Sequence, residues 1–175
     1  MLWWILGIVG AIVGLVAITA IMGLFISKQH RASVKALYRE SPEAIWKTVT
    51  DFEAMPSWRK GVRSVERLPD RDGHPVWVEV SRQGRMPLEI VEMDPPRRMV
   101  GRIADPNLPF GGTWTYEITP RDGGAELQIT ENGEIYNPMF RFMARFIFGH
   151  HATMEDYLRS LGRKFGQETA PERVP

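Results

Sequence analysis

The chain has 175 residues, with 22 Lys and Arg against 21 Asp and Glu, a net charge of +1 and no cysteine. The near balance, with bases scattered among acids, excludes the basic stripe of a nucleic-acid-binding surface. Lack of cysteine excludes disulfides and a lipidated-cysteine anchor, and fits a reducing compartment.

No charged side chain occurs before Lys28, and residues 2–26 are almost entirely Leu, Ile, Val, Ala, Gly, Phe, Met and Trp. A run of about 25 such residues makes a helix roughly 37 Å long, enough to cross a hydrocarbon core of ~30 Å. A single helix satisfies its own backbone polar groups in lipid. A cleaved secretory signal is the alternative. It calls for a basic start, a shorter apolar stretch and small residues beyond it. Met1-Leu2-Trp3-Trp4 carries no base, and Ala17, Thr19 and Ala20 lie inside the run. Residues 1–27 are therefore expected to be a retained single-pass anchor. Lys28 and Arg31 follow as a basic juxtamembrane linker over 28–31, which places the C-terminal bulk in the cytoplasm, with Trp3 and Trp4 at the opposite interface. Gly10 and Gly14 form a GxxxG that supports a homodimer, unless they are simply the glycines common in such helices.

After the anchor, about 145 residues are enough for one ordinary domain. Residues 31–39 alternate and read as a first strand. Ser41-Pro42-Glu43 opens a helix, with Ser41 as N-cap and Pro42 at the first helical position. A short second helix is expected from Asp51 to about Gly61. Strands follow over 62–68, 76–82, 86–93, 99–104, 113–119 and 125–136. Turns at Asp72-Gly73, Gln83-Gly84 and Gly123-Gly124 give the spacing of an antiparallel meander. Pro138 opens a last helix running to about Phe165. Along it Met139, Met143, Phe146, Ile147, His150, Met154, Tyr157, Leu158, Leu161 and Phe165 step along one face. Such a helix needs a wide apolar surface, and the meander supplies one. The tail over 168–175 reads as disordered by composition.

The order of elements, with Ser41-Pro42-Glu43-Ala44-Ile45-Trp46, Thr48-Val49-Thr50-Asp51-Phe52-Glu53, Glu92-Met93-Asp94-Pro95-Pro96-Arg97-Arg98 and Gly112-Thr113-Trp114-Thr115-Tyr116-Glu117, resembles the START-like helix-grip fold of the SRPBCC superfamily, in its polyketide cyclase/dehydrase-type branch. The resemblance spans 32–167. It implies an α+β domain, a curved antiparallel sheet wrapped round a long C-terminal helix, here preceded by one transmembrane helix. It also implies a cavity between sheet and helix for a hydrophobic small molecule. It implies no single catalytic set, because the scaffold hosts different activities.

Candidate cavity residues follow from position. His150 lies on the apolar stripe of the last helix, where it is either a ligand-bonding or acid–base group or a satisfied core or rim histidine. His151 beside it points about 100° away, so the pair is a poor metal site. No metal and no cofactor are expected. Glu131 shares a face with Leu127, Ile129, Gly133 and Ile135 by period two. It either faces the cavity or pairs at the sheet's end, and a bulge at Gly133 would reverse the faces beyond it. Trp114 and Tyr116 share a face, as cavity wall or core. Met143, Ile147 and Met154 line the helix stripe. Leu108 and Phe110, in a Pro/Gly-rich loop, form a lid, a membrane-dipping tip or an ordinary loop. The reading favours a membrane-anchored binder of a lipid, isoprenoid or polyketide-like molecule. Its alternatives are a cyclase, aromatase or dehydratase using His150, Glu131 or Tyr116, and a non-catalytic interaction module.

Overall fold

The computed structural model describes residues 2–82 and 84–175. The apolar run is a helix, α1 (Leu2–Leu24), long and apolar enough to cross a membrane. A first strand, β1 (Gln29–Tyr38), begins almost at once, so the residues expected to form a linker are already sheet. Then α2 (Pro42–Thr50) starts as its sequence requires: the Ser41 side chain accepts from the Ala44 amide at 3.2 Å, and Ile45 and Val49 turn into the core. The expected second helix shrinks to a single 3₁₀ turn at Met55–Ser57.

Six strands follow: β2 (Val62–Arg71), β3 (His74–Ser81), β4 (Gly84–Asp94), β5 (Arg98–Ile103), β6 (Phe110–Arg121) and β7 (Gly124–Ile135). They form an antiparallel meander, and β1 closes onto β7, giving the order β2-β3-β4-β5-β6-β7-β1-β8, with β8 at Glu172–Val174. The tail is thus ordered rather than disordered. Ser33, Val34 and Lys35 pair with Val174, Arg173 and Glu172, and Arg173 Nε reaches Glu155 at 2.8 Å. The free edge of β1 offers backbone donors and acceptors to any nearby segment, so a polar sequence is recruited into the sheet by its main chain.

The last helix is broken. It runs as α3 (Pro138–Met143), a π-helical turn (Ala144–Phe148) and α4 (Ala152–Lys164), with Gly149 between at φ 71° and ψ 171°. That backbone region belongs almost to glycine alone, and it ends the helix although the apolar spacing continues through it. Only α4 is gripped by the sheet. Met154, Tyr157, Leu158 and Leu161 are fully buried against Val34, Ala36, Leu127, Ile129 and Tyr116. Tyr38 ties the two layers, donating its hydroxyl to the Leu158 carbonyl at 2.9 Å, and burial pushes that phenol far above its ordinary pKa.

Candidate functional site

Period two along β1 points His30, Ala32, Val34, Ala36 and Tyr38 to the inner face, the last four forming core and His30 the end of the row. Opposite His30 stands Gly133 of β7, in unbroken register with β1 and with Gly112 of β6, so no bulge reverses the faces. The glycine is what makes room: a Cβ there would strike the His30 ring. Glu131, two residues before it on the same face, brings Oε1 to 3.5 Å from His30 Nε2. From the bend after Gly149, His150 lays its ring on that of His30, centroids 3.9 Å apart.

These three polar groups form one side of a cleft of about 220 Å³. Its apolar wall comes from Phe110 and Ile135, paired across β6 and β7, and from Phe140 and Phe148 on the α3–π segment. Burial, then the neighbouring His30, holds the His150 imidazole below its ordinary pKa, against the opposing pull of Glu131. His150 is therefore a neutral imidazole near pH 7, able to donate or accept. The arrangement can hydrogen-bond a polar head while the aromatic wall takes an apolar body, and its imidazole–carboxylate contact can also move a proton.

Of the residues the sequence singles out, the cleft brings together Phe110, Glu131 and His150. Phe110 sits in β6 rather than in a loop, and Leu108 is half-buried in the shorter connection before it. Tyr116 and Met154 are core, so the space between sheet and α4 is filled where a cavity is expected. Trp114 packs half-buried beside Tyr116, ring centroids 6.2 Å apart. Met143 is half-buried on α3, and Ile147 is 62% exposed. His30 is the member that sequence reasoning misses, because the alternating stretch read over residues 31–39 starts one residue after it. Its alternation with Ala32, Val34 and Ala36 was the available signal.

A second polar group lies under the other end of α4. Arg59 Nη1 meets Glu79 Oε1 at 2.5 Å, and the guanidinium lies 5.1 Å from the centre of the Tyr157 ring. Burial opposes the Arg59 charge, and Glu79, with Tyr116 and Tyr157, more than offsets it. Burial raises the pKa of both phenols. Beside Arg59 an open hollow of about 420 Å³ is bordered by Trp58, Lys60 and Arg163. Glu79 was legible too: it alternates with Trp77, whose ring stacks on Phe52 in the interior. Among the described residues, no group of three His, Asp or Glu side chains is arranged to hold a metal ion.

Known structures share this architecture. A START superfamily protein from Mycobacterium smegmatis superimposes with a TM-score of 0.62 at 20% identity, covering 77% of this chain and 96% of its own. A conserved protein from Geobacillus kaustophilus gives 0.66 at 14% identity, covering 82% and 99%. The Zhui aromatase/cyclase from Streptomyces sp. R1128 gives 0.61 at 11% identity, covering 76% and 91%. At such identities the likeness is one of fold. No curated protein matches the chain. The family model described as polyketide cyclase / dehydrase and lipid transport matches residues 29–165, from the first strand to the end of the last helix. The chain belongs to that family, carried on an N-terminal apolar helix.

Proposed function

We propose that the protein is a membrane-anchored binder of a hydrophobic small molecule, lipid- or isoprenoid-like, with a neutral hydrogen-bonding head. The observation that carries the reading is the cleft itself: Phe110, Phe140 and Phe148 on one side, His30, Glu131 and His150 on the other, beside the junction of α1 and α3. Removing apolar surface from water contributes about 25 cal/mol per Å², so the aromatic wall holds an aliphatic or ring-bearing body without strong polar contacts. A neutral hydroxyl or carbonyl suits the imidazoles, whereas an anionic head meets the carboxylates of Glu131 and Glu134. The cleft is smaller than the roughly 300 Å³ at which drug-sized pockets begin. It therefore takes the head and the first part of the molecule, the remainder lying along Phe140 and Phe148. Lys28 and Arg31 after the span support a cytoplasmic side for the domain, and Gly10 and Gly14, open on the surface of α1, suit pairing of two anchors.

The test is native mass spectrometry with lipid extraction on the full chain purified in detergent from its own host. A reproducible bound hydrophobe, lost in a Phe110→Ser and Phe148→Ser double variant that still folds, supports the reading. An empty, folded protein that takes up no lipid from a host extract sinks it. A second reading, a cyclase, aromatase or dehydratase, draws on the His30–Glu131 contact beside a neutral His150. It requires the extracted molecule to be converted on incubation, and His150→Gln to stop conversion while binding persists.

A further inference from the structure

The helix break leaves a cluster of large apolar side chains more than half exposed, with Phe146 packed within the segment on Phe142, ring centroids 4.9 Å apart. Phe140, Phe146, Ile147 and Phe148 are each between 51% and 62% exposed, within nine residues of chain. Elsewhere on the domain, exposed apolar side chains such as Leu37, Leu68 and Met93 stand singly, which is ordinary. A cluster of this kind marks an interaction surface. We propose that the segment from Pro138 to Gly149 lies in the headgroup–acyl boundary of the bilayer that α1 crosses, so that the cleft opens onto lipid instead of water. The proposal rests on α1 being a membrane anchor, as argued above.

The occupant follows from continuity with α1. α3 packs against that helix. The Pro138 carbonyl lies so close to Gly23 that a Cβ there would collide with it, and Arg141 Nη1 donates to the Ile26 carbonyl at 2.9 Å. The apolar face therefore starts within a turn of the end of the span, next to Phe25, itself 88% exposed. At that depth the abundant apolar phase is lipid. Lys28 and Arg145, both exposed at this end, suit anionic headgroups. The segment has the composition of an interfacial anchor: four exposed aromatic and aliphatic side chains within nine residues, with exposed Arg145 among them. Phe140 and Phe148 belong both to this face and to the cleft wall, so lipid contact and cleft access share the same side chains.

The chain has no cysteine, so single cysteines can be labelled without removing others. The full chain, reconstituted into phosphatidylcholine–phosphatidylglycerol vesicles, is labelled with an environment-sensitive fluorophore at Ile147→Cys, and separately at Phe146→Cys in case one site perturbs folding. Ile12→Cys reports the anchor, and Leu37→Cys reports an exposed apolar position away from the face. Nitroxide lipids with shallow and deep acyl labels are the quenchers. The expected result is a blue-shifted emission at 146 and 147 that loses most of its intensity to the shallow nitroxide, with 12 quenched by the deep one and 37 by neither. Emission at 146 and 147 matching that at 37, while 12 is quenched, overturns the proposal and leaves the anchor standing. A blue shift without lipid quenching means a second copy covers the face, and also overturns it. If 12 is not quenched, the anchor reading falls and takes this inference with it.

Discussion

The imidazole of His30 lies nearly flat on that of His150, with ring centroids 3.9 Å apart and planes 24° apart. One histidine comes from the first strand and the other from the bend that follows the broken helix, so their contact records the docking of that bend on the sheet. Glu131 faces the pair through His30, and its upward pull on the His150 pKa is opposed by His151 and Arg145.

This arrangement sets a pH dependence. Burial and His30 depress the His150 pKa in the folded protein, whereas the unfolded chain keeps the ordinary value near ~6.5. Above that value both states are neutral and the group adds no pH dependence. Below it the unfolded chain takes up the proton first, so stability falls as the pH drops from the ordinary value toward the depressed one. The thermal unfolding midpoint of the full chain in detergent should decline on acidification through that window. His150→Gln should remove part of the decline, and the His150 ring protons should titrate below an ordinary histidine by NMR. An unchanged acid limb in His150→Gln would refute this account.

Arg59 and Glu79 test a different kind of burial. Their side chains are 12% and 8% exposed, and the pair sits beneath the Tyr157 ring. Arg59→Met leaves a carboxylate buried and unpaired, which costs about 3–5 kcal/mol. Replacing both, with Glu79→Gln beside Arg59→Met, removes the stranded charge and should recover much of that loss. Chemical unfolding of the wild type, both single variants and the double variant gives the coupling directly. Additive costs would mean that the two side chains do not act as a pair.

How far the sequence revealed the fold depended on whether the deciding interaction was local. The α2 start was legible because Ser41 and Pro42 act within one turn, and the meander because its turns carry their own glycines. Glu131 and His150 were legible by period as polar residues on inward-facing positions. The cleft they share was not, because it depends on Gly133 standing opposite His30, a pairing about a hundred residues apart in the chain. The tail is the sharpest case. Its composition is that of a solvated segment, yet its backbone completes the β1 edge, and Gln167 before it accepts from the Arg39 amide at 2.9 Å.

Truncation after Gln167 follows as a measurement. It removes the β8 pairing, the Arg173–Glu155 and Lys35–Glu172 contacts and the packing of Thr169 on Gly162 of α4. A few backbone hydrogen bonds, at about 0.5–1.5 kcal/mol each, and two ion pairs at the surface, at about 0–1 each, set the scale. The expected loss is about 1–3 kcal/mol, together with faster amide exchange along Ser33 to Lys35. A truncated chain as stable and as protected as the intact one would mean that β8 contributes nothing to the fold in solution.

Gly149 is where local spacing and backbone conformation disagree most. Stepping by three and four, Met143, Ile147, His150 and Met154 continue one helical stripe, yet Ile147 is exposed and Met154 is buried. The chain resolves this by turning at Gly149, where φ is 71° and nothing lies within 4 Å of an added Cβ. Space is therefore not the obstacle to a side chain here, and the backbone is. Gly149→Ala should cost about 1–3 kcal/mol if the bend is kept. If instead the helix straightens, the cost is smaller, but His150 leaves His30 and the Phe146–Phe148 face rotates. The His150 titration separates the two outcomes, remaining depressed in the first and returning toward the ordinary range in the second. A variant with unchanged stability and an unchanged titration would show that the bend does not depend on glycine.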